Sequence, residues 1–263
     1  MYKRQVIERL QRAGAIILGK LNLTEGAMGG YNPRRKVPKN PWNLAKWAGS
    51  SSSGSGVATA AGLCVGSLGS DTGGSIRFPS AACGIVGLKP SYGRVSRFGV
   101  LDLAETLDHV GPMTRSVSDA VEIFKCIAGY DDKDLTTRNE KIPSFDFEIK
   151  GDLSGVVLGY SSDYCEKGVN PVIVESVLKA KSVLSELGAE FREIDLPDID
   201  KYLPFWKIIC SAEAANAHRA NFPSRSEEYG AWFREWLSHG HEVTANDYID
   251  ASRMRSECNG IIR

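Results

Sequence analysis

Missing from this sequence are any charge imbalance, any long apolar run and any paired-cysteine motif. Its 32 basic side chains are matched by 32 acidic ones, so the chain carries no broad field for nucleic acid or an anionic membrane. No apolar stretch reaches the roughly 18 residues of a membrane span. The start, Met1 to Arg9, mixes charge with apolarity where a secretory leader would be continuously apolar, so a cytoplasmic protein is expected. The six cysteines, Cys64, Cys83, Cys126, Cys165, Cys210 and Cys258, include no Cys-x-x-Cys pair. Buried free thiols, rather than a disulfide frame, are expected. Gly49 to Gly56 lacks the Gly-Lys-Ser/Thr ending of a phosphate-binding loop, and there is no dinucleotide fingerprint. There is no internal repeat.

What is present is the balance of a globular protein: 42% hydrophobic and 24% charged residues over 263 positions. That length suffices for one large domain or two small ones, with a sizeable core. Val6, Ile7 and Leu10 recur at helical spacing and predict a helix over 4–13, closed by Gly14. Ala15 to Gly19 reads as a short buried strand. Residues 31–48, rich in Pro, Asn and Lys, read as loop. Val57 to Leu63 reads as a helix of small residues packed closely on a sheet, and Cys64 to Gly69 as a strand. Ser75 to Ala82 opens a short helix if Pro79 lies in its first turn. Gly84 to Leu88 is strand-like. Ser116 to Asp119 is a helix start, carried through Ala120 to Ala128. Residues 130–152 form a polar loop or arm. A second α/β stretch follows: a strand at Val156 to Tyr160, a helix from Pro171 to Leu187 stopped by Gly188, and a strand at Phe191 to Ile194. Residues 205–263 read as mainly helical, with Trp206, Trp232, Phe233 and Trp236 as core anchors. Helices alternating with strands predict an α/β fold.

Two hydroxyl-rich loops stand out. One is Gly49-Ser50-Ser51-Ser52-Ser53-Gly54-Ser55-Gly56; the other is Asp71-Thr72-Gly73-Gly74-Ser75. A serine hydroxyl is a weak nucleophile near neutral pH, and needs a base for its proton and donors for the developing oxyanion. Glycines without Cβ let backbone N–H groups approach a carbonyl. Ser51 precedes Ser75 by one strand and one helix, which can bring the chain back so that both hydroxyls meet. A flexible linker is the bland reading of the serine run, but the run leads straight into an apolar segment. Asp71 and Arg77, flanking Ser75, are expected to form an ion pair that fixes the loop. Direct contact of Arg77 with substrate is the sharper alternative.

From Gly49 to Pro79 the sequence resembles the amidase signature family. Pro41-Trp42-Asn43, Gly84-Ile85-Val86-Gly87-Leu88-Lys89-Pro90, Tyr92-Gly93-Arg94-Val95-Ser96 and Gly111-Pro112-Met113-Thr114-Arg115 fall in the family's order. Gly19-Lys20-Leu21-Asn22 with Glu25 and Met28-Gly29 matches the stretch before the signature. The resemblance is strong over residues 4–135 and weak afterwards. It implies a mixed β-sheet core covered by helices on both faces, incomplete at both ends here, with 153–263 as a variable substrate-side part. It implies hydrolysis or transfer of amides by a Ser–cis-Ser–Lys triad without metal or organic cofactor. In that triad Ser75 forms the acyl-enzyme, Ser51 is the relay associated with a cis peptide, and Thr72, Gly73 and Gly74 lie in the oxyanion loop. Ser50 and Ser53 stand where many members have glycine.

The lysine of that triad has no match. Lys3, Lys20, Lys36, Lys39 and Lys46 precede Ser51, and none has the family's Pro-x-x-x-Lys-Asp context; the matching position falls before Met1. The expectation is therefore an amidase whose activity as this chain is low. The expected substrate is a small amide; homo-oligomerisation or a partner subunit is open, and neither nucleic acid nor membrane is expected to bind directly. Two readings stand beside it: the glutaminase subunit of a tRNA-dependent amidotransferase, and a non-catalytic scaffold on the same fold. Weaker candidates read as ordinary structure. Ser176 and Lys179 lie on a solvated helix face, Lys133-Asp134 in a surface loop, and His239, His241 and Glu242 lack a further metal ligand. His109 after Asp108 suggests a Ser-His-Asp triad, against a structural role for that stretch.

Overall fold

The computed structural model describes residues 5–145 and 151–263. The first residue of the expected 4–13 helix and part of the expected 130–152 arm therefore lie outside the described residues. The elements in chain order are α1 (Gln5–Arg12), α2 (Ser53–Ala60), β1 (Gly66–Asp71), α3 (Arg77–Cys83), β2 (Val86–Gly87), β3 (His109–Thr114), α4 (Val117–Ile127), β4 (Val157–Tyr160), α5 (Ser162–Glu166), α6 (Pro171–Glu186), β5 (Glu190–Glu193), α7 (Leu203–His218), α8 (Ala231–Glu242) and α9 (Ala245–Ile262). The chain divides into two compact units, Met1–Phe145 with Lys207–Ile249, and Asp146–Trp206 with Asp250–Arg263.

The first unit is organised around an antiparallel sheet of order β1-β3-β2. The β1–β3 register runs from Gly66 opposite Thr114 to Asp71 opposite His109. The central strand, β3, has no counterpart among the sequence expectations, because Gly111-Pro112 interrupts any apolar alternation. Its edge shows what the proline does. Pro112 accepts the Leu88 N–H at 3.0 Å through its carbonyl but has no N–H to return, and β2 ends one residue earlier, at Gly87. Val6 of α1 is buried with Val95, Val110, Phe124, Ile127 and Ala128 in a core cluster. Arg9, one turn on, caps the end of α4. Its guanidinium donates to the carbonyls of Ile127 (2.9 Å), Ala128, Gly129 (3.3 Å) and Tyr130 (2.6 Å). At the other end of α4, the Ser116 hydroxyl accepts the Asp119 N–H at 3.1 Å, the cap that the sequence predicts.

Small residues let α2 lie close on β1. Ser55 Oγ donates to Leu68 O at 2.8 Å, and Thr59 Oγ1 meets Ser67 Oγ at 2.8 Å. Pro79 sits in the first turn of α3, as expected, and Gly84 ends that helix with φ of +65°. Further along, α8 approaches α7 where Gly240 lies against the Ser211 carbonyl; a Cβ there would come within 2.0 Å of the oxygen.

In the second unit, β4 and β5 pair in parallel from Val157 opposite Glu190 to Tyr160 opposite Glu193. The crossover between them carries α6, as parallel strands require. Asn170 caps α6 by accepting the Val172 N–H at 3.0 Å. Ser176 is exposed on this helix and its hydroxyl returns to Val172 O at 2.9 Å, the solvated face expected for it.

Three expectations are corrected. Ala15 to Gly19 is not a buried strand: it is irregular, with Ile16 86% and Leu18 74% exposed, and pairs with no strand among the described residues. An apolar run becomes a strand only where a ladder partner takes its N–H and C=O groups. Of the aromatic anchors, Phe233 and Trp236 are buried and Trp206 is half-buried, whereas Trp232 is exposed and stacks on Trp236 with centroids 6.1 Å apart. All six cysteines are free thiols, but only Cys83 and Cys210 are fully buried. No helix among the described residues is long and apolar enough to cross a membrane.

Candidate active site

The turn between β1 and α3 places Ser75. Asp71, the last residue of β1, is 1% exposed, and the chain wraps back around its carboxylate. Oδ1 accepts the Gly74 N–H at 2.8 Å; Oδ2 accepts the N–H groups of Ile76 at 3.1 Å and Arg77 at 3.3 Å. The Arg77 guanidinium closes the clasp, Nε to Oδ2 at 3.0 Å and Nη2 to Oδ1 at 2.9 Å. Burial opposes ionisation of Asp71, but the Arg77 hydrogen bonds and charge, with the N–H groups of Ile76 and Gly74, outweigh it and hold the carboxyl below its usual range. The ion pair expected from sequence is present, and beside it a clasp of three backbone N–H groups that no sequence signal announces.

Gly74 is glycine for two reasons. Its φ is +138°, and a Cβ would lie 2.3 Å from the Phe78 ring. Its N–H is occupied by Asp71. The N–H groups of Gly73 and Ser75 make no hydrogen bond among the described residues, and neither does the Ser75 hydroxyl, which is half-exposed. Thr72 is tied elsewhere: its hydroxyl donates to Asp108 Oδ1. Asp108 Oδ2 in turn accepts the N–H groups of Leu103 at 2.8 Å and Ala104 at 3.1 Å. Two residues before Asp108, Thr106 is held by Glu213 of α7, through its N–H at 2.8 Å and its hydroxyl at 2.6 Å. The 103–108 loop, bonded to Thr72 at Asp108 and to Glu213 at Thr106, thus ties the Ser75 turn to α7. Burial pushes Asp108 up, against the hydrogen bonds from Thr72, Leu103 and Ala104. Asp102 is pushed up to about 6, first by burial and then by Asp108. His109 turns its Nδ1 to the Asp71 carbonyl at 3.1 Å. Neither His109 nor Asp108 serves a histidine triad here, in keeping with a structural role. Lys133-Asp134 is more than surface loop, since Asp134 Oδ2 accepts the Arg97 N–H at 2.8 Å.

The second serine loop is fixed against both the first and the segment before it. Ser52 Oγ accepts the Ser70 N–H at 3.3 Å, one residue before Asp71. Gly49 packs on Pro79 of α3, where a Cβ would come within 2.2 Å of the proline Cα. Ser51 O accepts the Thr24 N–H at 3.2 Å, and Gly54 N–H donates to Asn22 O at 2.9 Å. The Tyr31 hydroxyl bonds Ser53 Oγ. Ser51 is 1% exposed, and its Oγ is buried without a hydrogen-bond partner. An unpaired buried hydroxyl costs about 1–3 kcal/mol.

One expectation about Ser51 is corrected. Among the described residues the cis peptide bond is Phe222-Pro223, and the bond before Ser51 is not cis. The chain turns there instead through positive φ, +87° at Gly49 and +62° at Ser51, a conformation uncommon for a residue with a Cβ. The bonds to Thr24 and Asn22 hold it. Among the described residues no lysine amine hydrogen-bonds Ser51 or Ser75; Lys89, the half-buried lysine beyond α3, donates to Pro90 O at 3.0 Å.

Similarity to known proteins extends along almost the whole chain. The family model described as Amidase matches residues 2–259. AmiD of Mycobacterium tuberculosis, provisionally named as an amidase, is 41% identical over 265 residues, covering 100% of this chain and 55% of its own length. The A subunit of glutamyl-tRNA(Gln) amidotransferase from Geobacillus stearothermophilus is 40% identical over 279 residues, covering 98% of this chain and 57% of its own. The crystal structure of the corresponding A subunit from Thermotoga maritima superposes with a TM-score of 0.82 at 33% identity, over 98% of this chain and 57% of that one. The chain thus spans somewhat more than half the length of the relatives it matches. On the strength of a match along nearly its whole length, this chain belongs to the amidase family.

Proposed function

We propose that the chain carries the acyl-forming serine of an amidase and acts on the carbon–nitrogen bond of a carboxamide. The observation that carries this reading is Ser51, whose buried hydroxyl has no partner, on a loop bonded through Ser52 to the end of β1, from which the clasped turn carries Ser75 unengaged and half-exposed. In the proposed reaction Ser75 Oγ attacks the amide carbon and its proton passes to Ser51. The N–H groups of Gly73 and Ser75, unengaged by the protein, receive the oxyanion, while Gly74 and Thr72 shape the turn. The C–N bond breaks, the amine leaves with the relayed proton, and water then attacks the ester carbon to release the carboxylate and restore Ser75.

The relay needs a base beyond Ser51. With no lysine among the described residues joined to either serine, turnover by the 263-residue chain is expected to be lower by about 10²–10⁴-fold than with a positioned base. Nucleophilicity toward a reactive phosphorus probe is less demanding. A fluorophosphonate should label the chain at Ser75, and Ser75→Ala should lose the label. Labelling that persists in Ser75→Ala, or is absent in the unaltered chain, would overturn the assignment; absence would favour the non-catalytic scaffold reading. A second reading is favoured by one observation: the A subunit of the amidotransferase matches almost as closely as AmiD. There the amide would be that of glutamine and the ammonia would pass to a partner subunit. Release of ammonia from glutamine, but not from other carboxamides, separates the two.

A further inference from the structure

A groove of about 220 Å³ opens beside the serine loops, lined by Tyr31, Val37, Leu44 and Trp47 with Ala48 and Gly49 at its inner end. That volume exceeds the roughly 150 Å³ cavity that accepts a benzene ring. Its wall is a built loop. Asn40, 4% exposed, donates to Trp47 O at 2.9 Å and to Ala82 O of α3 at 2.7 Å, and the Trp42 indole donates to Cys83 O at 2.7 Å. Val37, Leu44 and Trp47 are nevertheless 53%, 68% and 61% exposed, an apolar surface larger than a loop tip needs. One ring joins the groove's wall to the Ser75 turn: Trp47, in the lining, lies 6.3 Å from the Phe78 ring, and Phe78 packs against Gly74, next to Ser75.

The groove's charge is one-sided. From Gly26 to Ser70 the sequence has no Asp or Glu, while Arg34, Arg35, Lys36, Lys39 and Lys46 lie within it. In a chain whose charges balance overall, this segment is locally basic. Lys39 and Lys46 line the groove itself, and neither forms an ion pair or a side-chain hydrogen bond among the described residues. Two cations flanking an aromatic slot, with no acid in the lining, complement a ligand that is apolar in the middle and anionic at its end.

We propose that this groove is the subsite for the non-reacting part of the amide, and that this part is an aryl- or alkyl-sized apolar group ending in a carboxylate. Trp47, Leu44 and Val37 receive the apolar body; Lys39 and Lys46 receive the carboxylate. The inference rests on the amidase reading of Ser75, and deepens it by naming a substrate class.

The test separates the two. In the full 263-residue chain carrying Ser75→Ala, binding of 3-phenylpropionate and of its uncharged counterpart 3-phenylpropanol is measured by calorimetry and tryptophan fluorescence. Both should bind, the acid about fivefold tighter at low salt, with that preference fading as salt screens the lysines. The double substitution Lys39→Gln, Lys46→Gln should bring the acid to the alcohol's affinity and leave the alcohol unchanged. Trp47→Ala should weaken both. No binding, equal affinity for acid and alcohol, or a preference untouched by the lysine substitutions would overturn the proposal. So would tight RNA binding lost with those lysines while the acid fails to bind. Because Ser75 is absent from these measurements, a failure to label Ser75 in the unaltered chain would remove the amidase reading, and with it the groove's role toward an amide, while the binding measurements would still show whether the groove holds an apolar carboxylate.

Discussion

Asp71→Asn tests what holds the Ser75 turn. The substitution keeps the shape and removes the charge of a side chain that is 1% exposed and accepts three backbone N–H groups and two guanidinium N–H groups. Hydrogen bonds to a charged group contribute about 1.5–3 kcal/mol each. The amide keeps one acceptor oxygen and turns an NH₂ toward donors, so one or two backbone bonds are lost, while the cost of burying a charge is relieved. The net loss is expected to be about 2–4 kcal/mol. Arg77 is different. Its side chain is 55% exposed, so water replaces part of what the guanidinium supplied, and the Asp71 carboxylate left behind keeps its three backbone donors; Arg77→Met should cost about 1–2 kcal/mol, less than Asp71→Asn. Urea unfolding followed by tryptophan fluorescence measures both variants. If Arg77→Met costs as much as Asp71→Asn, the turn is held by the ion pair and not by the backbone clasp, and the reasoning fails. The pH dependence gives a second check. The Asp71 carboxyl lies below its usual value in the folded chain. Its contribution is therefore fully present above the unfolded value of about 3.9 and is lost as pH falls through the folded one. The gap between the unaltered chain and Asp71→Asn should be constant from pH 5 to 8 and shrink below about pH 4. A gap that widens on acidification would contradict the assignment.

Two further outcomes follow from particular contacts. Arg9→Gln removes the guanidinium that bridges the last carbonyls of α4, and should cost about 1.5–3 kcal/mol, with α1 becoming a faster site of tryptic cleavage; unchanged cleavage would show that Val6 alone holds α1. Gly54→Ala places a Cβ 2.2 Å from the Asn22 carbonyl oxygen, so one backbone must shift at a cost of about 1–3 kcal/mol. Gly260→Ala, in α9 with nothing within 4 Å, should be neutral or stabilising by up to about 1 kcal/mol; equal urea midpoints for the two variants would refute the steric account.

How much of this was legible in the sequence depends on how local the cause is. Helix α4 and its Ser116 cap, α6 with Pro171 at its start, and the β4–β5 pair are written in periodicity and capping residues a few positions apart. The one misread segment and the one strand without a sequence counterpart both depend on distant neighbours. Ala15 to Gly19 has the composition of a buried strand, yet an apolar run cannot supply its own ladder, and no described strand provides one. His109 to Thr114 has the composition of a turn, yet it becomes the central strand because β1 and β2 both bring edges to it, and because Gly111 lets the Leu88 carbonyl come within 2.0 Å of where a Cβ would be.

The site divides in the same way. Ser75, Ser51 and the Asp71–Arg77 pair could be named from the sequence, since each sits in a short, compositionally odd loop. The bonds that make the turn rigid could not. Thr72 finds Asp108, and Thr106 finds Glu213, only after β1 and β3 have paired and α7 has packed beside them. Nor does residue type indicate that Gly74 spends its N–H on Asp71. That last contact changes the chemistry available at the turn. An oxyanion can be received only by N–H groups the protein leaves unengaged, so in the proposed mechanism the clasp that positions Ser75 leaves Gly73 and Ser75 as the donors and keeps Gly74 for structure.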